Sequence, residues 1–426
     1  MASVRDHYVL VPDASRGALL VAGSRLPCVR GARGAEGVLD ALRRAYGLDA
    51  PYLRPAKFLL DADGNSFAGL HELDAPGRDW EPAPGTCWLA LDDADPDSLA
   101  PSELTSSVGR WLAIARGASV PAERPPWAKP GWLAEALRWI DESAAAAGLD
   151  PNGPVEVVEQ WPLSAVLRRD TNSGRVYMKA VFSTFRHEPA LTQALSARHP
   201  MLIPEVLAVD IQRGWMLMSE LPGTQIGDVE GARWSDALRA VAGVHRDWAA
   251  RADELLALGA HDRTVAALAS EIRATFHAVG LAADDRTLSQ LERRCEELAE
   301  GPLPQTLVHG DFHPWNVMVE EDELRIFDWS DACVSHPLFD LPTFLQRTES
   351  EAAREQMLEA YLAAWADLGS PEELRTSYEL ALPLAHVHHA VSYLRINEAL
   401  EPDDQWWFAD EPRRWLTGAV ERLSAP

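Results

Sequence analysis

The sequence predicts an α+β protein in which a small sheet-rich segment precedes a larger helical one, with a further α+β unit ahead of both. Three observations carry that prediction. Short apolar runs punctuated by turn residues fill the first 115 or so positions. They return between about residues 150 and 220. Beyond residue 230 nearly every stretch reads as helix, apart from a short strand pair around 306–328. At roughly 150 residues per domain, 426 residues suggest about three structural units.

The elements follow in order. HYVLV, ALLVA, KFLLD and CWLAL read as strands, with PDASRG, DADGNS and DAPGRD as the turns between them. One helix, EGVLDALRRAYGLD, interrupts them and sets Val38, Leu39, Leu42 and Tyr46 on one face. The proline-rich stretch ARGASVPAERPPWAKPG is the best linker candidate. An amphipathic helix then carries Trp132, Leu133, Leu137 and Ile140 on its apolar face. VEVVEQW, SAVLRRD, RVYMKAVF, EVLAVD and WMLMSEL follow as strands, with PALTQALSAR as a helix among them. The expected division is an accessory α+β domain over 1–115 and a linker and helix over 116–150. A sheet-rich lobe over 151–222 and a helical lobe over 223–426 follow.

Composition narrows the function. Hydrophobic residues make up 47% and charged residues 24%, which excludes wholesale disorder. The formal net charge is −26, a field that repels phosphate backbones and anionic lipid, so neither nucleic acid nor a membrane surface is an expected partner. No apolar run reaches the ~18 residues of a membrane span. The amino terminus has no basic region ahead of a signal-like apolar run, so the expected location is cytoplasmic. Cys28, Cys87, Cys295 and Cys333 form no CxxC pair, and neither a disulfide framework nor a thiolate zinc site is indicated.

The chemistry concentrates in LVHGDFHPWNVMVEEDELRIFDWSDA. Asp311 is followed five residues later by Asn316, and Asp328 comes twelve beyond that. Hard divalent cations take oxygen ligands and keep several waters, so an amide oxygen with one or two carboxylates is a typical protein share. Two short strands joined at EEDE would bring Asn316 and Asp328 side by side at one end of a hairpin. Asp311, on the preceding loop, could then accept a proton from a bound hydroxyl.

This segment resembles the catalytic segment of the aminoglycoside phosphotransferase and choline kinase family, distant relatives of protein kinases. The motif residues are His309, Gly310, Asp311, Asn316, Asp328 and Trp329, with Pro337, Asp340 and Leu341 as a later Pro-x-x-Asp-Leu. The resemblance implies a bilobal protein-kinase-like fold and covers about residues 150 to 395. It implies that Lys179 reaches nucleotide phosphates, that Glu188 on the following helix pairs with Lys179, and that the backbone of Ser219 and Leu221 binds adenine. It also implies Asp311 as catalytic base, and Asn316 and Asp328 as ligands of Mg²⁺ carried with ATP or GTP. His309 and Asp340 are expected to hold the loop rather than react. One departure is the phosphate-covering loop, where Ser164 stands but the only glycine, Gly174, falls at the outer hairpin turn.

The function implied is transfer of the γ-phosphate of ATP, or GTP, to a hydroxyl of a small metabolite or antibiotic such as an aminoglycoside or amino sugar. A protein kinase fits poorly, since no DFG glycine follows Asp328. The alternative is a catalytically inactive pseudokinase or binding module acting through the N-terminal domain. That domain resembles a degenerate Nudix domain, with Arg43, Arg44 and Ala45 where metal-binding glutamates belong. Asp331 could face substrate or solvent. His386 and His389 share a helix face and would allow a metal site, though core packing is the commoner fate of such histidines. Asp403, Asp404, Trp406 and Trp407 could contact substrate or simply pack.

Overall fold

The computed structural model describes residues 5–32, 34–60, 66–77, 79–229 and 233–424. The chain divides into two compact units, one of residues 1–182 with 400–407, the other of 183–399 with 408–426. The second crossing of the chain between them, at residues 400–407, is not signalled by any composition shift.

In the first unit, β1 (Asp6–Leu10), β2 (Ala18–Ala22) and β3 (Cys28–Arg30) precede α1 (Gly34–Tyr46). They are followed by β4 (Tyr52–Leu60), β5 (Ser66–Leu73) and β6 (Thr86–Ala90). One sheet runs β3-β1-β5-β4, with β1 parallel to β5 and antiparallel to β3. A second sheet pairs β2 with β6, Leu20 opposite Trp88. Val38 and Leu42 of α1 are buried, as their shared face requires, under a cluster that includes Val9, Val11 and Leu73. Five of the six residues of DADGNS, Asp61 to Asn65, lie outside the described residues.

Helices α2 (Thr105–Ala115) and α3 (Trp132–Ala146) flank the proline-rich stretch expected as a linker. That stretch is packed rather than loose. Arg124 and Trp127 within it are buried, and Trp127 Nε1 donates to the Trp161 carbonyl at 2.8 Å. Its prolines break helix without preventing burial of an indole.

The unit ends in an antiparallel meander of β7 (Pro151–Gln160), β8 (Ser164–Thr171) and β9 (Gly174–Val181). Val176, Met178 and Ala180 are buried on one face of β9, and Lys179 alternates to the other. Gly174 sits at the outer turn with φ +115°, a conformation favouring glycine.

The second unit begins with α4 (Glu188–Arg198), β10 (Val206–Asp210) and β11 (Trp215–Ser219), the strands antiparallel. Its helices are α5 (Trp234–Trp248), α6 (Val265–Val279) and α7 (Asp285–Ala299). Between these and the last helices lie β12 (Thr306–Val308), β13 (Val317–Glu320), β14 (Glu323–Ile326) and β15 (Cys333–Ser335). Helices α8 (Glu351–Leu362), α9 (Pro371–Ala399) and α10 (Glu411–Ser424) complete it. Trp248, Phe312, Trp329, Phe339, Phe344, Tyr361 and Trp365 are fully buried in one core. Each such side chain is worth about 1.5–3 kcal/mol of transfer free energy.

Helix α9 contains Pro383, which has no N–H to give the carbonyl of Glu379 one turn back. Arg294 of α7 supplies the missing donor, its Nη1 lying 3.1 Å from that oxygen. Among the described residues no helix is long and apolar enough to cross a membrane.

Candidate active site

The site begins with two strands held in fixed register. β12 and β15 pair antiparallel, Val308 opposite Cys333, so the loops that follow the first and precede the second leave together. The first carries His309 to Asn316; the second carries Asp328 to Ala332. The β13–β14 hairpin between them opposes Val317 to Ile326, and the Phe327 N–H donates to the Asn316 carbonyl at 3.1 Å. Asn316 and Asp328 therefore stand at the same end of the hairpin, as the sequence spacing predicts. The turn itself is Glu321-Asp322, with Glu321 at φ +51°.

Asp340 organises the first loop. Its Oδ2 accepts the His309 N–H and its Oδ1 the Gly310 N–H, each at 2.8 Å. His245 Nε2 lies 3.1 Å from Oδ2. Burial opposes charge on Asp340, but the His245 contact and the His309 N–H hold its carboxyl below the ordinary value. Thr343 Oγ1 donates to the Phe312 carbonyl at 2.7 Å, fixing the loop two residues further on.

His309 is buried and its tautomer follows from its neighbours. Nε2 is 3.0 Å from the Phe327 carbonyl, which can only accept, so Nε2 carries the proton. Nδ1 is then the acceptor, 3.4 Å from the Asp311 N–H. Burial holds the ring neutral by lowering its pKa, and Trp329 packs against it at 4.6 Å. His309 thus braces the Asp311 and Phe327 backbones, in line with the structural part expected of it.

Asp311 itself keeps 41% of its side chain exposed, and its Oδ2 lies 3.5 Å from His313 Nε2. Asn316 Nδ2 donates to the Asp311 carbonyl at 3.0 Å, which leaves Oδ1 as the amide's ligand atom. Asp328 has φ +66°, uncommon for a residue with a side chain and typical of constrained sites. Ser330 Oγ lies 2.8 Å from Asp328 Oδ1 and 2.7 Å from Glu188 Oε2, so one hydroxyl hydrogen is shared between two carboxylates. Burial, then the charges of Asp311 and Asp328, push the Asp331 carboxyl up to about 8.

The structure therefore brings Asp311, Asn316, Asp328 and Glu188 into one linked set within the second unit. Ser219 also belongs to that unit; its N–H donates to the Glu205 carbonyl at 3.0 Å, so further backbone contacts by Ser219 use its carbonyl oxygen. Leu221 follows two residues beyond the end of β11. Lys179 lies in the first unit, opposite Val166 in the meander and 7% exposed. The turn between β7 and β8 closes with the Trp161 N–H on the Ser164 carbonyl at 3.1 Å, and Ser164 Oγ accepts from Trp161 Nε1 at 2.8 Å.

An amide oxygen and a carboxylate at one hairpin end suit a hard divalent ion that keeps waters and phosphate oxygens as its other ligands. Among the described residues no cluster of three His, Cys, Asp or Glu side chains is arranged to hold a metal. His386 and His389 pack against Trp415 at 5.0 and 4.4 Å, and burial lowers their pKa values to about 3 and about 4. They are core residues.

A family model described as a phosphotransferase enzyme family, APH, matches residues 161–375. The chain belongs to this phosphotransferase family. Choline kinase LicA from Streptococcus pneumoniae is similar over 68% of this chain and 99% of its own, at 15% identity and a TM-score of 0.50. Macrolide 2'-phosphotransferase MphH from Brachybacterium faecium is similar over 64% of this chain and 97% of its own, at 20% identity and a TM-score of 0.46. No curated protein sequence matches. The fold is thus that of the kinase-like aminoglycoside phosphotransferases and choline kinases. Members of this phosphotransferase family act on hydroxyl groups of small molecules, and so does this enzyme.

Sequence reasoning missed the supports of the phosphotransferase loop. Ser330, His245, Tyr361 and Thr343 carry no motif of their own. His245 Nδ1 lies 2.9 Å from the Tyr361 hydroxyl, which reaches the Pro337 carbonyl at 3.0 Å. Only tertiary packing assembles that relay behind Asp340.

Proposed function

We propose that this phosphotransferase moves the γ-phosphoryl group of ATP to a hydroxyl of a small metabolite or antibiotic, with aminoglycosides and amino sugars as the first acceptors to test. Asp311 receives the hydroxyl proton as the oxygen attacks. Its half-exposed carboxylate on a backbone clamped by Asp340 supports that assignment. Asn316 and Asp328 are the residues that would hold Mg²⁺, which when bound offsets charge on the phosphate oxygens. Lys179 is assigned to the phosphates, Glu188 to orienting it, and the backbone of Ser219 and Leu221 to adenine. Phosphoryl transfer asks for positioning and charge stabilisation more than covalent chemistry. We place the reaction in the cytoplasm, with neither nucleic acid nor membrane as partner.

The observation that carries this reading is the common anchoring of Asp311 and Asn316, joined through the Asp311 carbonyl at the hairpin end that also bears Asp328. Mg²⁺-dependent turnover of ATP and of GTP with a panel of aminoglycosides, amino sugars and choline-like alcohols tests it. Acceptor-dependent turnover should appear with wild type and fall about 10²–10⁴-fold in Asp311→Ala, the usual share of a general base, with ATP affinity little changed. Full activity in that variant refutes the assignment; no turnover with any acceptor favours a binding module.

A further inference from the structure

The turn that the family resemblance places over the nucleotide phosphates runs Trp161-Pro162-Leu163-Ser164, between β7 and β8. It contains no glycine. A glycine-rich loop can reshape its backbone as phosphates arrive. This turn cannot, because Pro162 fixes its own φ and keeps Trp161 out of the helical region. Its shape must therefore be set before a nucleotide binds.

Residues distant in sequence set it. Gln160, the last residue of β7, is buried. Its Nε2 donates to the carbonyls of Tyr52, at the start of β4, and of Trp127, in the proline-rich stretch, each at 3.1 Å. Leu53 offers a third carbonyl to the same amide. Trp127 in turn gives its indole N–H to the Trp161 carbonyl. Trp161 then closes the turn on Ser164 through both its indole and its backbone N–H. The Phe182 N–H donates to the Leu163 carbonyl at 2.9 Å, joining the turn to the end of β9.

An aromatic wall stands beside the turn. Trp407 meets Trp161 edge-on at 6.2 Å, stacks on Trp406 at 4.6 Å and takes Phe58 of β4 edge-on at 5.8 Å. Buried charge holds that segment in place. Arg54 Nη1 reaches Asp404 Oδ2 at 3.1 Å, 350 residues away in sequence, and Arg124 grips Glu401 with bonds of 2.7 and 2.9 Å. Arg110 pairs with Asp403. Asp403, Asp404, Trp406 and Trp407, which the sequence offered to substrate, are thus committed to the first unit.

The turn and Lys179 share one face of the meander. Lys179 stands opposite Val166 and Val181 opposite Ser164, so Ser164 and Lys179 are diagonal neighbours on the same side.

We infer that β4, the proline-rich stretch and residues 400–407 form a brace that sets the phosphate turn in advance, with Gln160, Trp127 and Trp161 as positioning residues for ATP. The bearing on ATP rests on the reading that Lys179 and this turn meet the phosphates; the brace itself does not.

Amide hydrogen exchange on the full chain, without nucleotide, tests the brace. Gln160→Met removes its hub, and Trp161→Phe removes one indole N–H while leaving the Gln160 and Trp127 bonds intact. In both, amides at 163–167 should exchange at least fivefold faster while α2 keeps wild-type protection. If Gln160→Met unfolds the first unit, Trp161→Phe decides. Wild-type protection at the turn in Trp161→Phe overturns the brace. Calorimetry with Mg²⁺ and ATP tests the consequence. Affinity should fall about fivefold or more in Trp161→Phe, the worth of one hydrogen bond, and the KM for ATP should rise alike with the acceptor KM unchanged. An equal rise in both KM values, or a loosened turn with wild-type ATP affinity, overturns the positioning role and leaves the assignment of Lys179 standing. A wild type that binds no ATP overturns that assignment and the positioning role with it, whatever the exchange shows of the brace.

Discussion

Gly310 lies so close to Asp331 that a Cβ added to it would sit 2.3 Å from the Asp331 carbonyl oxygen. Its φ of +85° also favours glycine. The two loops of the site thus touch backbone to backbone, and the contact depends on a missing side chain.

Gly310→Ala should therefore push the Asp311 loop away from Asp331. The left-handed backbone alone costs about 1–2 kcal/mol, before the clash is relieved. Urea unfolding should show at least that loss. Turnover should fall more than tenfold with nucleotide affinity less affected, because the displaced residue is the proposed base. Wild-type stability and rate together would remove the backbone contact from the account.

Asp340→Asn should be nearly as damaging as Asp340→Ala. An amide cannot accept from His309, Gly310 and His245 at once, since one of its ends only donates. Removing one partner of a buried, charge-assisted set costs about 3–5 kcal/mol. Thermal and urea unfolding of both variants measure it; an Asn variant as stable as wild type contradicts the clamp.

Ser330→Ala removes only the hydroxyl between Glu188 and Asp328. Hydrogen bonds to charged groups are worth about 1.5–3 kcal/mol. Mg²⁺-dependent ATP binding, followed by calorimetry, should weaken by about tenfold or more, and the melting temperature should fall by a few degrees. Unaltered binding would show that neither carboxylate needs the shared proton.

Acid should unfold the protein early. Burial lowers the pKa of His71, His336 and His386 to about 3 and of His187 and His389 to about 4, from an ordinary 6.5. Below pH 6.5 the unfolded chain takes up protons that the folded chain refuses, so stability falls with pH until the folded values are reached. At pH 5 each such histidine costs about 2 kcal/mol. Asp404 and Asp331, raised by burial to about 7 and about 8, work in the opposite sense but are two groups against these five histidines. Circular dichroism should place the acid transition between about pH 4 and 6; a native signal at pH 4 rules the effect out.

What the sequence made legible had a local cause. Asp311, Asn316 and Asp328 lie in one contiguous stretch, and the hairpin that joins them is written in alternating residues around a polar turn. The gripping of Asp404 by Arg54 was not legible, because nothing in EPDDQWWFADEP distinguishes a carboxylate aimed at substrate from one aimed at a strand 350 residues away. The proline-rich stretch misled for a similar reason: proline marks where helix stops, not whether Trp127 is buried. Ser330 escaped because a serine beside an aspartate in a loop is ordinary until the helix bearing Glu188 arrives.

The donor that Arg294 gives to Glu379 makes Pro383 tolerable in the middle of α9. The two positions are therefore contingent on one another. Related enzymes that have lost the arginine should carry an amide-bearing residue in place of the proline, so paired replacement at these sites would serve as an evolutionary record of how the α7 and α9 helices came to be stitched together.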